Sequence, residues 1–153
     1  MMDRRQFLKL AGASALTGAC NPVDSALEPP FSYQLTAAER PLSLTPDLPA
    51  LAGYSYSAQQ PIPVLRARQG MPFRARLTNG LVEGTTIHWH GIRLPNAMDG
   101  VPVLTQPNVE PGESFTYDFT PPDAGSFWFH PHANSVEQVG RGLAGALIVD
   151  EKD

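Results

Sequence analysis

The sequence specifies an all-β domain, and three features carry that reading. Short apolar runs alternate with polar positions. Sixteen Pro and 13 Gly lie between those runs and do not gather in a low-complexity block. No segment keeps a convincing helical period. Many short strands separated by turn residues describe a β-sandwich or barrel.

The elements follow in order from Phe31, where strand-like runs begin. Phe73-Arg74-Ala75-Arg76-Leu77 alternates apolar and charged residues, as a half-buried strand does, and Asn79-Gly80 then marks a turn. Thr85 to Leu94 is a second candidate strand, ended by Pro95-Asn96. Phe115, Tyr117 and Phe119 share one face of a third, with Thr116 and Asp118 on the other. Pro121-Pro122-Asp123-Ala124-Gly125 separates it from the aromatic, extended run Ser126 to His130, and Leu143 to Asp150 is a closing apolar strand. The two His-x-His pairs are the one internal repetition.

At 153 residues the chain fits one domain with a real core, and 42% apolar against 17% charged residues is a globular balance. The net charge of −4 with scattered Arg excludes a basic nucleic-acid footprint. No run of 18 or more apolar residues is present, so no transmembrane segment is expected. Cys20 is the single cysteine, which excludes an intramolecular disulfide. With no cysteine after position 20, the domain holds no thiolate, and a blue-copper centre made by this chain alone is excluded.

Residues 1–20 read as an export signal. Asp3-Arg4-Arg5-Gln6-Phe7-Leu8-Lys9 is close to the twin-arginine pattern, and the mild apolar stretch Leu10 to Ala19 follows. Leu16-Thr17-Gly18-Ala19-Cys20 is compatible with ordinary signal-peptidase cleavage or with a lipid anchor at Cys20. Either outcome places the protein outside the cytoplasm, in the periplasm or beyond. Residues 21–30, with Pro22, Pro29 and Pro30, form a linker, and 31–153 the domain.

All four histidines lie in His88-Trp89-His90 and His130-Pro131-His132. In a strand, residues i and i+2 project from one face, so each pair aims two imidazoles the same way. Neutral imidazole suits copper, zinc, iron and nickel. The residues alone leave three readings open: a copper site, one tetrahedral zinc held by four His, or buried histidines satisfied by backbone groups.

Thr86-Ile87-His88-Trp89-His90-Gly91 and Gly125-Ser126-Phe127-Trp128-Phe129-His130-Pro131-His132 resemble the first two ligand motifs of the multicopper oxidases. Met98-Asp99-Gly100-Val101-Pro102, Thr105-Gln106, Pro111-Gly112-Glu113-Ser114-Phe115-Thr116-Tyr117 and Gly142-Leu143-Ala144-Gly145-Ala146-Leu147-Ile148-Val149 extend the match over roughly residues 60 to 150. The resemblance implies a cupredoxin-like Greek-key β-sandwich, the plastocyanin-like first domain of a laccase-like or cuprous-oxidase-like protein. It implies that His88 binds the type 2 copper and that His90, His130 and His132 bind the type 3 pair. Asp99 falls where the family places an acid near the type 2 copper, to orient water and relay protons while dioxygen is reduced; an Asp-Gly turn would also account for Asp99-Gly100. Trp89, Met71 and Met98 read as structural.

The resemblance also implies partners. Complete members continue through further cupredoxin domains, which supply two more His-rich motifs and the Cys of the type 1 copper. This sequence has neither, so type 1 copper is not expected here and one such chain is not expected to turn over substrate. Three readings follow: the N-terminal domain of an oxidase completed by the same gene or a second chain; a self-standing periplasmic copper-binding or carrier module; or a structural protein of the oxidase fold. The intact histidines place the last behind the others.

Overall fold

The computed structural model describes residues 29–152. The export-signal reading of residues 1–20, Cys20 and most of the 21–30 linker lie outside the described residues. Among the described residues, eight strands form two four-stranded sheets. One runs in the order β2 (Leu51–Ser55), β1 (Phe31–Leu42), β4 (Phe73–Asn79), β6 (Ser114–Phe119). The other runs β3 (Val64–Arg68), β8 (Gly145–Asp150), β7 (Gly125–His130), β5 (His88–His90). The β1–β4 and β3–β8 pairs are parallel and the remaining pairs antiparallel. Strand neighbours that are distant in sequence are what a Greek-key sandwich requires.

Side-chain alternation builds the core. In β4, Phe73, Ala75 and Leu77 are fully buried, while Arg74 points outward and pairs with Asp118, its direct neighbour on β6. In β8, Gly145, Leu147 and Val149 face inward. Trp89 lies between the sheets with no exposed surface. Phe73, Tyr117, Phe119 and Phe129 surround its ring at centroid distances of 5.2–5.6 Å. These two sheets are therefore riveted together at the residue between two of the histidines. Truncating so large a buried ring costs about 3–5 kcal/mol.

The structure corrects one strand boundary and adds two short helical turns. The strand expected over Thr85 to Leu94 contracts to three residues, His88–His90. Thr85 instead makes an isolated bridge to Val109, and Gly91 turns the chain away at φ 86°. The chain is also not free of helix: a 3-10 turn spans Asn96–Met98, and a short helix, α1, spans Ser135–Gly140. Six residues are too few to display a helical period. Helix α1 buries only Gln138, so hydrogen bonds and not an apolar stripe hold it.

Candidate metal centre

The site stands on the pairing of β5 with β7. In that register His88 lies opposite His130, Trp89 opposite Phe129, and His90 opposite Trp128. Trp89 and Phe129 point into the core, so the alternation of each strand turns His88, His90, Trp128 and His130 to the other face. The His88 ring centroid lies 5.5 Å from those of His90 and His130 and 4.5 Å from that of His132. Residues 40 positions apart in sequence are thereby brought into one cluster.

The two pairs are not built alike. His88 and His90 obey the i, i+2 rule within one strand. His130 ends β7, and His132 lies beyond it after Pro131, where strand geometry no longer applies. One ligand nitrogen from each of His88, His90 and His130 can be chosen so that all lie within 4.8 Å of one another; His132 falls outside that set. His130 is buried, whereas His90 and His132 are exposed.

Hydrogen bonds fix which nitrogens are available. Nδ1 of His88 donates to the carbonyl oxygen of Asp99 at 2.7 Å, leaving Nε2 as the lone-pair nitrogen. Nδ1 of His130 lies 3.0 Å from the carbonyl of Pro131, leaving Nε2, which lies 3.3 Å from Nδ1 of His90. Burial holds the His130 imidazolium below its usual range, and neighbouring histidines add to that. Burial likewise lowers His132, with His88 adding to the effect and Asp99 opposing it. Both rings therefore favour the neutral form, the form that donates to metals.

Asp99 takes the Asp-Gly turn. It follows the 3-10 turn, its N–H bonding to Asn96, and Gly100 takes φ 75°. Its carboxylate also faces His88, with Oδ1 3.3 Å from Nδ1. A Cβ on Gly100 would sit 1.8 Å from the carbonyl oxygen of Ile87, so only glycine lets this turn press against β5.

Residues beyond the histidines hold the cluster in place, and among them Tyr56, Thr85 and Gln138 lie in none of the quoted motifs. Tyr56 donates its hydroxyl to the Thr86 carbonyl at 3.0 Å, and the Ile87 N–H donates to the Tyr117 hydroxyl at 2.7 Å. Two buried phenols thus clamp the backbone just before His88. Thr85 Oγ1 donates to Gln138 Oε1 at 2.8 Å, Gln138 Nε2 donates to the Gly84 carbonyl at 2.9 Å, and the His132 N–H donates to Thr86 Oγ1 at 3.2 Å. These bonds tie the segment before β5 to the segment after β7. Trp128 stacks on His130 at 4.0 Å and 26°, and tilts against His90 at 5.2 Å. Spacing in sequence gives no signal for Tyr56 or Gln138, since their partners are 30 and 53 residues away. The Trp128 contact follows from the i, i+2 relation to His130.

Comparison with known proteins agrees with this geometry. A family model described as multicopper oxidase matches residues 47–153. Copper resistance protein A of Escherichia coli is 33% identical over 99% of the chain, and the multicopper oxidase MmcO of Mycobacterium tuberculosis is 36% identical over 92%. The chain covers 26% and 28% of those proteins, so it spans about a quarter of their length. The crystal structure of a multicopper oxidase from Pseudomonas thermotolerans superposes with a TM-score of 0.75 at 50% identity, covering 80% of this chain and 30% of that one. Lac15, from a marine microbial metagenome, gives 0.72 at 46% identity over 79% of this chain and 32% of its own. With the sandwich, the two facing histidine motifs and these matches in agreement, the chain belongs to the multicopper oxidase family.

Proposed function

We propose that this chain is the copper-binding N-terminal domain of a multicopper oxidase, supplying half of the ligands of a type 2/type 3 trinuclear copper centre. The observation that carries this is the convergence of the imidazoles across the β5–β7 pair. The donor chemistry fits: burial disfavours the charged form of His130 and His132, and an imidazole set without thiolate suits copper of the type 2 and type 3 kinds and not of type 1. In this reading His88 serves the type 2 copper, and His90, His130 and His132 serve the type 3 pair. Bound copper would supply the electron transfer by which dioxygen is reduced to water while a substrate is oxidised.

The residues of this chain orient and exclude. Asp99 fixes the tautomer of His88 through its carbonyl, and its carboxylate stands beside that ring to accept and pass protons. Trp128 covers one side of His130. Partners in the complete reaction are dioxygen and the remaining cupredoxin domains, with export by the twin-arginine route to the periplasm. A second reading, a self-standing periplasmic copper-binding or carrier module, draws on one observation: three imidazoles are already gathered within this chain.

Titration of the purified chain with copper tests the proposal. Binding without the intense visible absorption of a thiolate–copper bond, and without turnover of phenols or cuprous ion, is expected. An intense blue species, or oxygen uptake abolished by His130→Gln, would refute the half-site reading. Restoration of activity by a complementing domain separates the oxidase reading from the carrier reading.

A further inference from the structure

His88, His90 and His130 stand on paired strands, whereas His132 follows Pro131 beyond the end of β7. Its ring nonetheless lies 4.5 Å from that of His88. Apolar packing does little to hold it there. From Pro131 to Gly140 the buried residues are Pro131, Ala133 and Gln138, and Val136 turns almost wholly to solvent. Gln138 differs in kind from the other two. It is a polar side chain with no exposed surface, on a six-residue helix that buries nothing else. Both ends of its amide are used: Oε1 accepts from Thr85 Oγ1 at 2.8 Å, and Nε2 donates to the Gly84 carbonyl at 2.9 Å. A leucine would fill the space but leave both partners buried and unpaired. A glutamate would turn a carboxylate oxygen toward the Gly84 carbonyl.

Resting on the copper reading above, we infer that Gln138 is a positioning residue: it fixes the 131–140 segment to residues 84–86 and so sets His132 as a donor beside His88. Residues 84–86 are a firm frame. Thr85 exchanges backbone bonds with Val109 at 3.1 and 3.0 Å, and Tyr56 holds the Thr86 carbonyl. That frame leads directly into His88. It also takes the His132 N–H on Thr86 Oγ1 at 3.2 Å, a long bond that needs support. Gln138 supplies the support through the backbone. Its N–H donates to the Asn134 carbonyl at 3.0 Å, which passes the grip to the residue two beyond His132. The spacing of His88 and His132 is therefore set by side-chain hydrogen bonds, where strand register sets that of His88 and His130.

Gln138→Leu and Thr85→Val are compared with the unaltered chain, first without metal. Nuclear magnetic resonance reads amide exchange at His132 and along β4 and β7, and the ring-to-ring contact of His88 with His132. In Gln138→Leu, exchange at His132 is expected to quicken by about tenfold or more and the ring contact to vanish, while the β4 and β7 amides stay within about twofold. Thr85→Val removes one of the two side-chain bonds and should fall between; it carries the test if Gln138→Leu does not fold. A His132 amide that exchanges as before overturns the inference. So does one that quickens no more than β4 and β7, because that marks a general loss of stability. Cu(II) is then added, and its paramagnetic broadening of the ring signals is followed. All four histidine rings should broaden in the unaltered chain, and His132 alone should be spared in Gln138→Leu. Equal broadening of His132 in both proteins overturns the role of Gln138. An unaltered chain whose rings Cu(II) leaves sharp overturns the copper reading and the donor role of His132 with it, whereas the metal-free comparison still decides whether Gln138 places the ring.

Discussion

Replacing Gly100 with alanine tests whether the 96–100 turn really leans on the histidine strand. The new Cβ would lie 1.8 Å from the Ile87 carbonyl oxygen, 2.4 Å from its carbon and 2.9 Å from the His88 nitrogen. All three atoms are backbone at the entry to β5, where Tyr56 and Tyr117 pin Thr86 and Ile87, so none can swing aside. The turn must withdraw by about 1 Å or more to restore van der Waals contact. That carries the Asp99 carbonyl out of reach of His88 Nδ1, now 2.7 Å away, and forfeits a bond worth about 1 kcal/mol. Alanine at φ 75° adds about 1–2 kcal/mol of backbone cost. The expected loss is about 2–3 kcal/mol, read as a lower urea midpoint with an unchanged slope. Nitrogen shifts of the His88 ring should show the tautomer released. Stability within about 0.5 kcal/mol of the original, with the His88 tautomer unchanged, would refute the reasoning.

Other outcomes follow from the same contacts. Tyr117→Phe leaves the Ile87 N–H buried without its acceptor and should cost about 1–3 kcal/mol by denaturant titration; no change would mean that another group accepts it. Burial raises the phenols of Tyr56 and Tyr117 above their ordinary value. Their stabilisation is therefore full below the unfolded value of about 10 and is lost as pH rises toward the folded values, a decline that alkaline melts should show and that Tyr56→Phe with Tyr117→Phe should flatten. Val103 is a β-branched residue at φ 71° with an almost fully exposed side chain, so Val103→Gly should stabilise by up to about 1 kcal/mol, and a loss of stability would show that its side chain makes contacts. In a reconstituted oxidase, Asp99→Asn should slow dioxygen reduction with copper content unchanged; loss of copper would make Asp99 a purely structural residue.

The sequence alone determined the sandwich, the burial of Trp89 and the pairing of the histidines. Alternation in β4 and β6 and the His-x-His spacing are local patterns, and local patterns survive in a linear string. It also carried the family, because the motifs around His88 and His130 are short and contiguous. Tertiary structure decided everything that depends on register. Only the placement of His88 opposite His130 turns two pairs into one cluster, and strand register is set by packing across distant segments. The two pairs share one spacing in sequence, yet only the fold shows that His130 ends β7 and that His132, beyond it, still brings its ring 4.5 Å from that of His88. The phenol clamp of Tyr56 and Tyr117, and the Gln138 tie, link residues 30 or more positions apart. Such contacts leave no periodic trace, because what selects them is a buried polar group that must find a partner wherever the fold brings one.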